Sequence, residues 1–199
     1  MNLKHEQSKL FQLLEFVTGL VQLNLIFLLT LLPLFTIFPA LYALTAVARQ
    51  WSIHQDYSVF RSYVHFFREA TQQHFKFGIV WTGIVLFLIF DFLIVRQIDS
   101  GQTILFTGLI VLTLIFCAVS LFLFPILSHY EMNKIDALKL AFFSTIRYAY
   151  ILLFAFFLLA TLGVLAYQSP LYLLFGFSFV MFFTTKLYLH QLNCMLSKT

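Results

Sequence analysis

The stretch "FPALYALTAVARQW", Phe38 to Trp51, closes a long apolar run with a proline, then passes through small residues to an arginine and a tryptophan. It reads as a buried turn in a soluble core, a signal-peptide cleavage region, or the place where a chain leaves a membrane. Composition decides against the first. Hydrophobic residues make up 61% of the 199, charged residues only 10%, and the mean hydropathy is +0.93; a soluble domain carries roughly 25% charged residues. Twelve basic and eight acidic residues cannot cover that much apolar surface in water, so hydrocarbon is the natural solvent. Ala46-Val47-Ala48 has the small-x-small form of a cleavage site, but the apolar run is longer than a signal peptide's core. The membrane-exit reading accounts for the rest. Pro39 at the start of a new helix costs little, because its missing N–H would be unpaired there. Arg49 and Trp51 then fall at the headgroup boundary, which favours such side chains.

Hydropathy windows predict an all-α, polytopic membrane helix bundle, one integral membrane domain over residues 1–199. Five spans are expected near 18–38, 77–95, 104–127, 149–167 and 171–189, each long enough at 1.5 Å per residue to cross about 30 Å of hydrocarbon. Five spans put nine Lys and Arg residues on one side, among them Arg49, Arg61, Arg68, Lys134 and Lys139, against Lys4, Lys9 and Arg96 on the other. The bias favours an outside N-terminus and a cytoplasmic C-terminus. The first segment offers an alternative. Leu3, Leu10, Leu14, Val17 and Val21 recur at near-helical spacing, and a re-entrant first span would bring the N-terminus to the cytoplasm.

The opening motif recurs: Phe38-Pro39-Ala40-Leu41 is echoed by Phe124-Pro125-Ile126-Leu127, each followed by a polar segment with an aromatic pair, Phe66-Phe67 or Phe142-Phe143. In a chain with 27 Phe this is either chance or a parallel repeat of span, cytoplasmic helix and span. Both polar segments read as amphipathic basic helices. In the first, Asp56 or Ser58 is placed to cap a helix with Phe60, Val64, Phe67 and Thr71 on one face and Arg61, His65 and Arg68 on another. In the second, Asn133 precedes a helix with Ile135, Leu138 and Phe142 inward and Lys134 and Lys139 outward. Arg49, Trp51, Arg61, His65, Arg68, Lys134 and Lys139 together form an expected face for inner-leaflet lipid, or for docking another protein.

Inside the spans, Asp91 is the acidic residue whose burial is most costly. Its depth matches that of Asn24, with Arg96 nearer the surface, so the three are expected to form a polar cluster, either a structural one or a solute or proton site. Six histidines show no H-x-x-x-H or H-E-x-x-H pattern, and Cys117 and Cys194 indicate neither a disulfide framework nor a zinc site. No phosphate loop, nucleophile elbow or dinucleotide fingerprint is found, so no catalytic residues, metal, cofactor or enzymatic activity is expected. The basic balance follows from topology and implies no nucleic-acid partner.

Asn24 with its hydrophobic run, Pro39-Ala40-Leu41-Tyr42-Ala43-Leu44, Arg49-Gln50-Trp51, the helix opening at Phe60-x-x-Tyr63 and the later "NKIDALKLAFFSTIRY" together resemble the YesL-like family of bacterial integral membrane proteins, domain of unknown function 624. The likeness is best over about residues 20–80. Where the family often carries glycine before the turn proline, this chain has Thr36-Ile37-Phe38. The resemblance implies a bacterial cell-membrane protein, accessory to a carbohydrate ABC uptake system and in contact with its permease or ATPase subunits. It implies no reaction. A small transporter or channel using Asn24, Asp91 and Arg96 is the competing expectation, with a homo-oligomer supplying a second half.

Overall fold

The apolar run that leads to Pro39 does not reach it as one helix. In the computed structural model, which describes residues 3–54, 58–97, 102–130, 132–169 and 172–196, helix α1 (Leu3–Leu31) stops short of Pro33, and α2 (Ile37–His54) starts afresh. Proline clashes with the preceding turn and drives the residue before it out of the helical region, so α1 ends where it must. Thr36 then ties the bend: its N–H donates to the Pro33 carbonyl at 3.0 Å, and its hydroxyl reaches the carbonyls of Thr30 and Pro33. The expected first span, 18–38, is thus corrected at its end, because a hydropathy window averages across a proline flanked by leucines. Pro39 sits in the first turn of α2, as a proline tolerates.

The remaining helices are α3 (Val59–Gln73), α4 (Phe75–Val95), α5 (Gln102–His129), α6 (Lys134–Arg147), α7 (Ala149–Gln168) and α8 (Leu173–Leu196). Among the described residues there are no strands. Four segments, Leu14–Leu31, Phe75–Val95, Thr103–His129 and Ala149–Gln168, are long and apolar enough to cross a membrane. Large apolar side chains such as Val80, Phe87, Leu153 and Phe157 point outward from α4 and α7, an arrangement costly in water and expected in lipid.

Helix α2 forms the core. It doubles back along α1, so that Thr36 lies by Thr30 while Trp51 packs on Phe16 and Gly19. Ala40, Ala43, Ala46, Val47 and Ala48 are fully buried. Small side chains let neighbouring backbones come close, which is how helices associate where no hydrophobic drive separates them from lipid. The α2 helix accordingly packs on α1, α3, α4, α5 and α8.

The helix order repeats. Helices α2–α3–α4 and α5–α6–α7 follow one another in the same way, and each surface helix meets the next long helix through a single residue. His74 (φ −114°, ψ 15°) donates its N–H to Ala70 at 3.0 Å, and Tyr148 (φ −110°, ψ 36°) donates to Ser144 at 2.8 Å. Phe38 and Phe124 meet with ring centroids 5.4 Å apart. The echoed motif does not mark equivalent places in the two units: Pro39 stands in the first turn of α2, whereas Pro125 lies near the end of α5.

The inward faces of α3 and α6 also differ from expectation. The α3 helix buries Val59, Tyr63 and Ala70 and exposes Phe60 and Val64; α6 buries Ala137, Ala141 and Ser144 and exposes Ile135, Leu138 and Phe142. On α6 the face is rotated from the expected one because small residues make the helix contacts, whereas on α3 Val59 and Tyr63 pack inward with Ala70. Ser58 and Asn133 occupy N-cap positions without a side-chain cap hydrogen bond; Asp56 lies outside the described residues.

Candidate functional site

A polar cavity of about 970 Å³ opens where the two repeats meet, between α2, α3, the end of α5 and the start of α6. Tyr42, Arg49, Glu69, His74, Ser128 and Lys134 line it. Its construction follows from a general property of helices: their last carbonyls lack intrahelical partners and attract cations. Arg49 of α2 donates from Nη1 to the carbonyl of Ser128 in the last turn of α5. Lys134, at the start of α6, donates from Nζ to the Gln73 carbonyl at the end of α3, at 2.9 Å. Each repeat thus supplies the cation that caps a helix of the other, and the cavity lies between these two caps.

Across the cavity the Tyr42 hydroxyl donates to Oε1 of Glu69 at 3.2 Å, and the Tyr42 and His74 rings lie 5.3 Å apart. Burial, then the Glu69 carboxylate, raises the Tyr42 phenol well above its ordinary range, so it stays a donor. Burial lowers the Arg49 guanidinium, with Tyr42 and Glu69 opposing the shift. His74 is lowered first by burial and then by Lys134, again against Glu69, which keeps the imidazole neutral near pH 7. Nε of Arg49 and Nδ1 of His74 are buried without a hydrogen-bond partner among the described residues. The cavity therefore presents a cation, a carboxylate and a neutral imidazole side chain together, a setting that suits a polar, hydrogen-bonding occupant.

Other expected residues are distributed differently. Trp51 is only 2% exposed, enclosed by Phe16, Gly19 and Phe182, and is a core residue rather than part of a lipid or docking face. Its sequence position at the apparent end of a span was misleading because α2 is interior. Arg61, His65 and Arg68 are exposed on α3, His65 lying 4.0 Å from Glu69, and Lys139 is exposed on α6, 3.9 Å from Asp136. Asn24 is fully buried, its Oδ1 accepting from the Ser178 hydroxyl of α8 at 3.1 Å. Asp91 is half-buried on α4 and Arg96 exposed at its end; among the described residues neither enters an ion pair. The expected Asn24–Asp91–Arg96 cluster does not assemble. Similar depth in two spans does not put them side by side, and α1 packs with α8, not along α4. Among the described residues no three His, Cys, Asp or Glu side chains converge as a metal site requires.

Tyr42, Glu69 and His74 were not singled out by the sequence, although Tyr42 lies within the opening motif. Residues 20–92, from within α1 to near the end of α4, match a family described as "Protein of unknown function, DUF624". A relative from Bacillus subtilis (strain 168), "Uncharacterized protein YesL", is 30% identical over 158 residues, covering 78% of this chain and 75% of the relative. The chain belongs to the YesL-like DUF624 family. The matched segment of this DUF624 protein contains the α1–α2 hairpin and the α2–α3 wall of the cavity. No solved structure matches it.

Proposed function

We propose that this DUF624 protein is a non-catalytic accessory subunit of a bacterial carbohydrate ABC uptake system, which docks a polar segment of the permease or ATPase in the cavity between its repeats. The observation that carries the reading is the cavity itself: it is walled by both repeats, flanked by α3 and α6, and lined by Arg49, Glu69, His74 and Lys134. The exposed faces of α3 and α6 combine large apolar side chains, Phe60 at 70% and Phe143 at 67%, with Arg61, Arg68 and Lys139. Such helices rest on an anionic inner leaflet, with the cavity facing the cytoplasm between them. The link to carbohydrate uptake rests on the family resemblance.

In this reading α4, α5, α7 and α8 cross the bilayer, and α1 with α2 forms a re-entrant hairpin. With the hairpin re-entrant, the start of α1 and the end of α8 lie on the cytoplasmic side. This departs from the outside N-terminus that five simple spans would give. It also strengthens the charge bias, since of the twelve Lys and Arg residues only Arg96 then lies outside.

Photo-reactive residues at Arg61, Lys139 and Gln73, crosslinked in native membranes under sugar-inducing conditions and read by mass spectrometry, test the docking. Capture of a sugar permease or its ATPase through Gln73 supports it. Capture of lipid alone at all three positions removes the docking partner and leaves α3 and α6 as membrane-surface elements.

A further inference from the structure

A second cavity, about 340 Å³, lies in the middle of the helix bundle, away from the polar one. Leu41 of α2 meets Trp81 of α4, Cys117 of α5, Leu159 of α7, and Phe177 and Met181 of α8 around it. It forms because α4 pairs with α5 and α7 pairs with α8, leaving a cleft between the pairs that α2 closes on one side.

The chemistry of the lining is restrictive. No charged side chain contributes to it. Its polar groups are spent on the protein: Trp81 Nε1 donates to the Ser120 hydroxyl at 3.1 Å, and the Thr113 hydroxyl donates to the Leu109 carbonyl at 2.8 Å. Besides the Ser120 hydroxyl, which accepts from Trp81, only the Cys117 thiol remains, a weak donor that behaves as a small apolar group. Water needs several polar partners to occupy such a space, and this one does not offer them. An empty cleft would forfeit the dispersion contacts of its aromatic and aliphatic walls. Bilayer hydrocarbon is the solvent that surrounds these helices.

The geometry points to a binding site for one hydrocarbon chain of a membrane lipid, inserted from the bilayer between the α4–α5 and α7–α8 pairs and ending against Leu41 and the Trp81–Ser120 pair. The chain acts as a removable part of the core, bridging the helix pairs and bearing on α2, whose neighbouring face lines the polar cavity through Tyr42 and Arg49. This site requires only the membrane location and stands apart from the docking reading.

The full-length protein is reconstituted in nanodiscs containing a phospholipid with a diazirine midway along one acyl chain, irradiated, and its peptides mapped. The expected result is wild-type labelling of Met181, which lines the cleft and is buried from the surrounding bilayer, that falls several-fold in Leu159→Trp, which fills the cleft, while labelling of the outward-facing Leu153 is unchanged. Val85→Phe, on the opposite wall, serves the same purpose should Leu159→Trp fail to fold. Absence of label at Met181 while Leu153 is labelled overturns the proposal, as does Met181 labelling that both filling variants leave intact.

Discussion

The Tyr42 hydroxyl of the core helix donates a 3.2 Å hydrogen bond to the Glu69 carboxylate of the surface helix α3, across a cavity that the second repeat closes. Tyr42→Phe removes the donor and leaves the carboxylate without that partner. The expected cost is about 1 kcal/mol of unfolding free energy, because the acceptor is charged but only partly buried. Denaturant unfolding in a mild detergent measures it. Glu69→Gln should cost less, since the amide oxygen still accepts, and the two substitutions combined should be less than additive.

Gly78 marks a close helix approach. A Cβ there would lie 2.9 Å from Cδ1 of Phe38, whose ring is held by Phe77, Trp81 and Phe124 at centroid distances of 5.7, 5.8 and 5.4 Å. A ring so enclosed has no room to swing aside, so Gly78→Ala should destabilise by about 1–3 kcal/mol. Gly83, on the same helix, would meet nothing within 4 Å. Its alanine variant should be neutral or gain up to about 1 kcal/mol from helix propensity. Paired thermal melts distinguish a packing glycine from a permissive one.

His74 makes the cavity sensitive to acid. Its imidazole is held below the ordinary value of 6.5, by burial and Lys134, against Glu69; Arg49 adds a further cation and Tyr42 a neutral ring to its surroundings. A lowered folded-state value means that stability from the neutral ring is fully present above about pH 6.5 and is lost as pH falls through the folded value. Unfolding measured at about pH 7.5 and 5.5 should show a wild-type loss on acidification that His74→Gln reduces. An equal loss in both proteins would assign the acid sensitivity to other groups.

Much of this architecture is legible in the chain. Composition placed it in a bilayer, and the helices α4, α5 and α7 fall within two residues of the expected spans at each end. The FPxL echo falls at the start of α2 and near the end of α5, so it does not mark equivalent positions. What stayed hidden had physical causes. The bend at Pro33 disappears in a window rich in leucine on both sides. The burial of α2 was masked by Arg49 and Trp51, which look like an interfacial pair and are instead a helix cap and a core ring. The inward face of α6 was misassigned because Ile135, Leu138 and Phe142 were taken as inward, when Ala137, Ala141 and Ser144 make the helix contacts. Asn24 finds its partner, Ser178, 154 positions away, which no local pattern reveals.

The central structural claim is that α1 and α2 form a hairpin that keeps the start of the chain and the polar cavity on the cytoplasmic side. Single cysteines at Lys4, Gln73 and Gln97, in a chain with Cys117 and Cys194 replaced by serine, are challenged with a membrane-impermeant maleimide on intact cells and again after permeabilisation. The account predicts that Gln97→Cys is labelled on intact cells and that Lys4→Cys and Gln73→Cys are labelled only once the membrane is opened. Labelling of Lys4→Cys on intact cells would contradict it and restore a first helix that crosses the bilayer from outside.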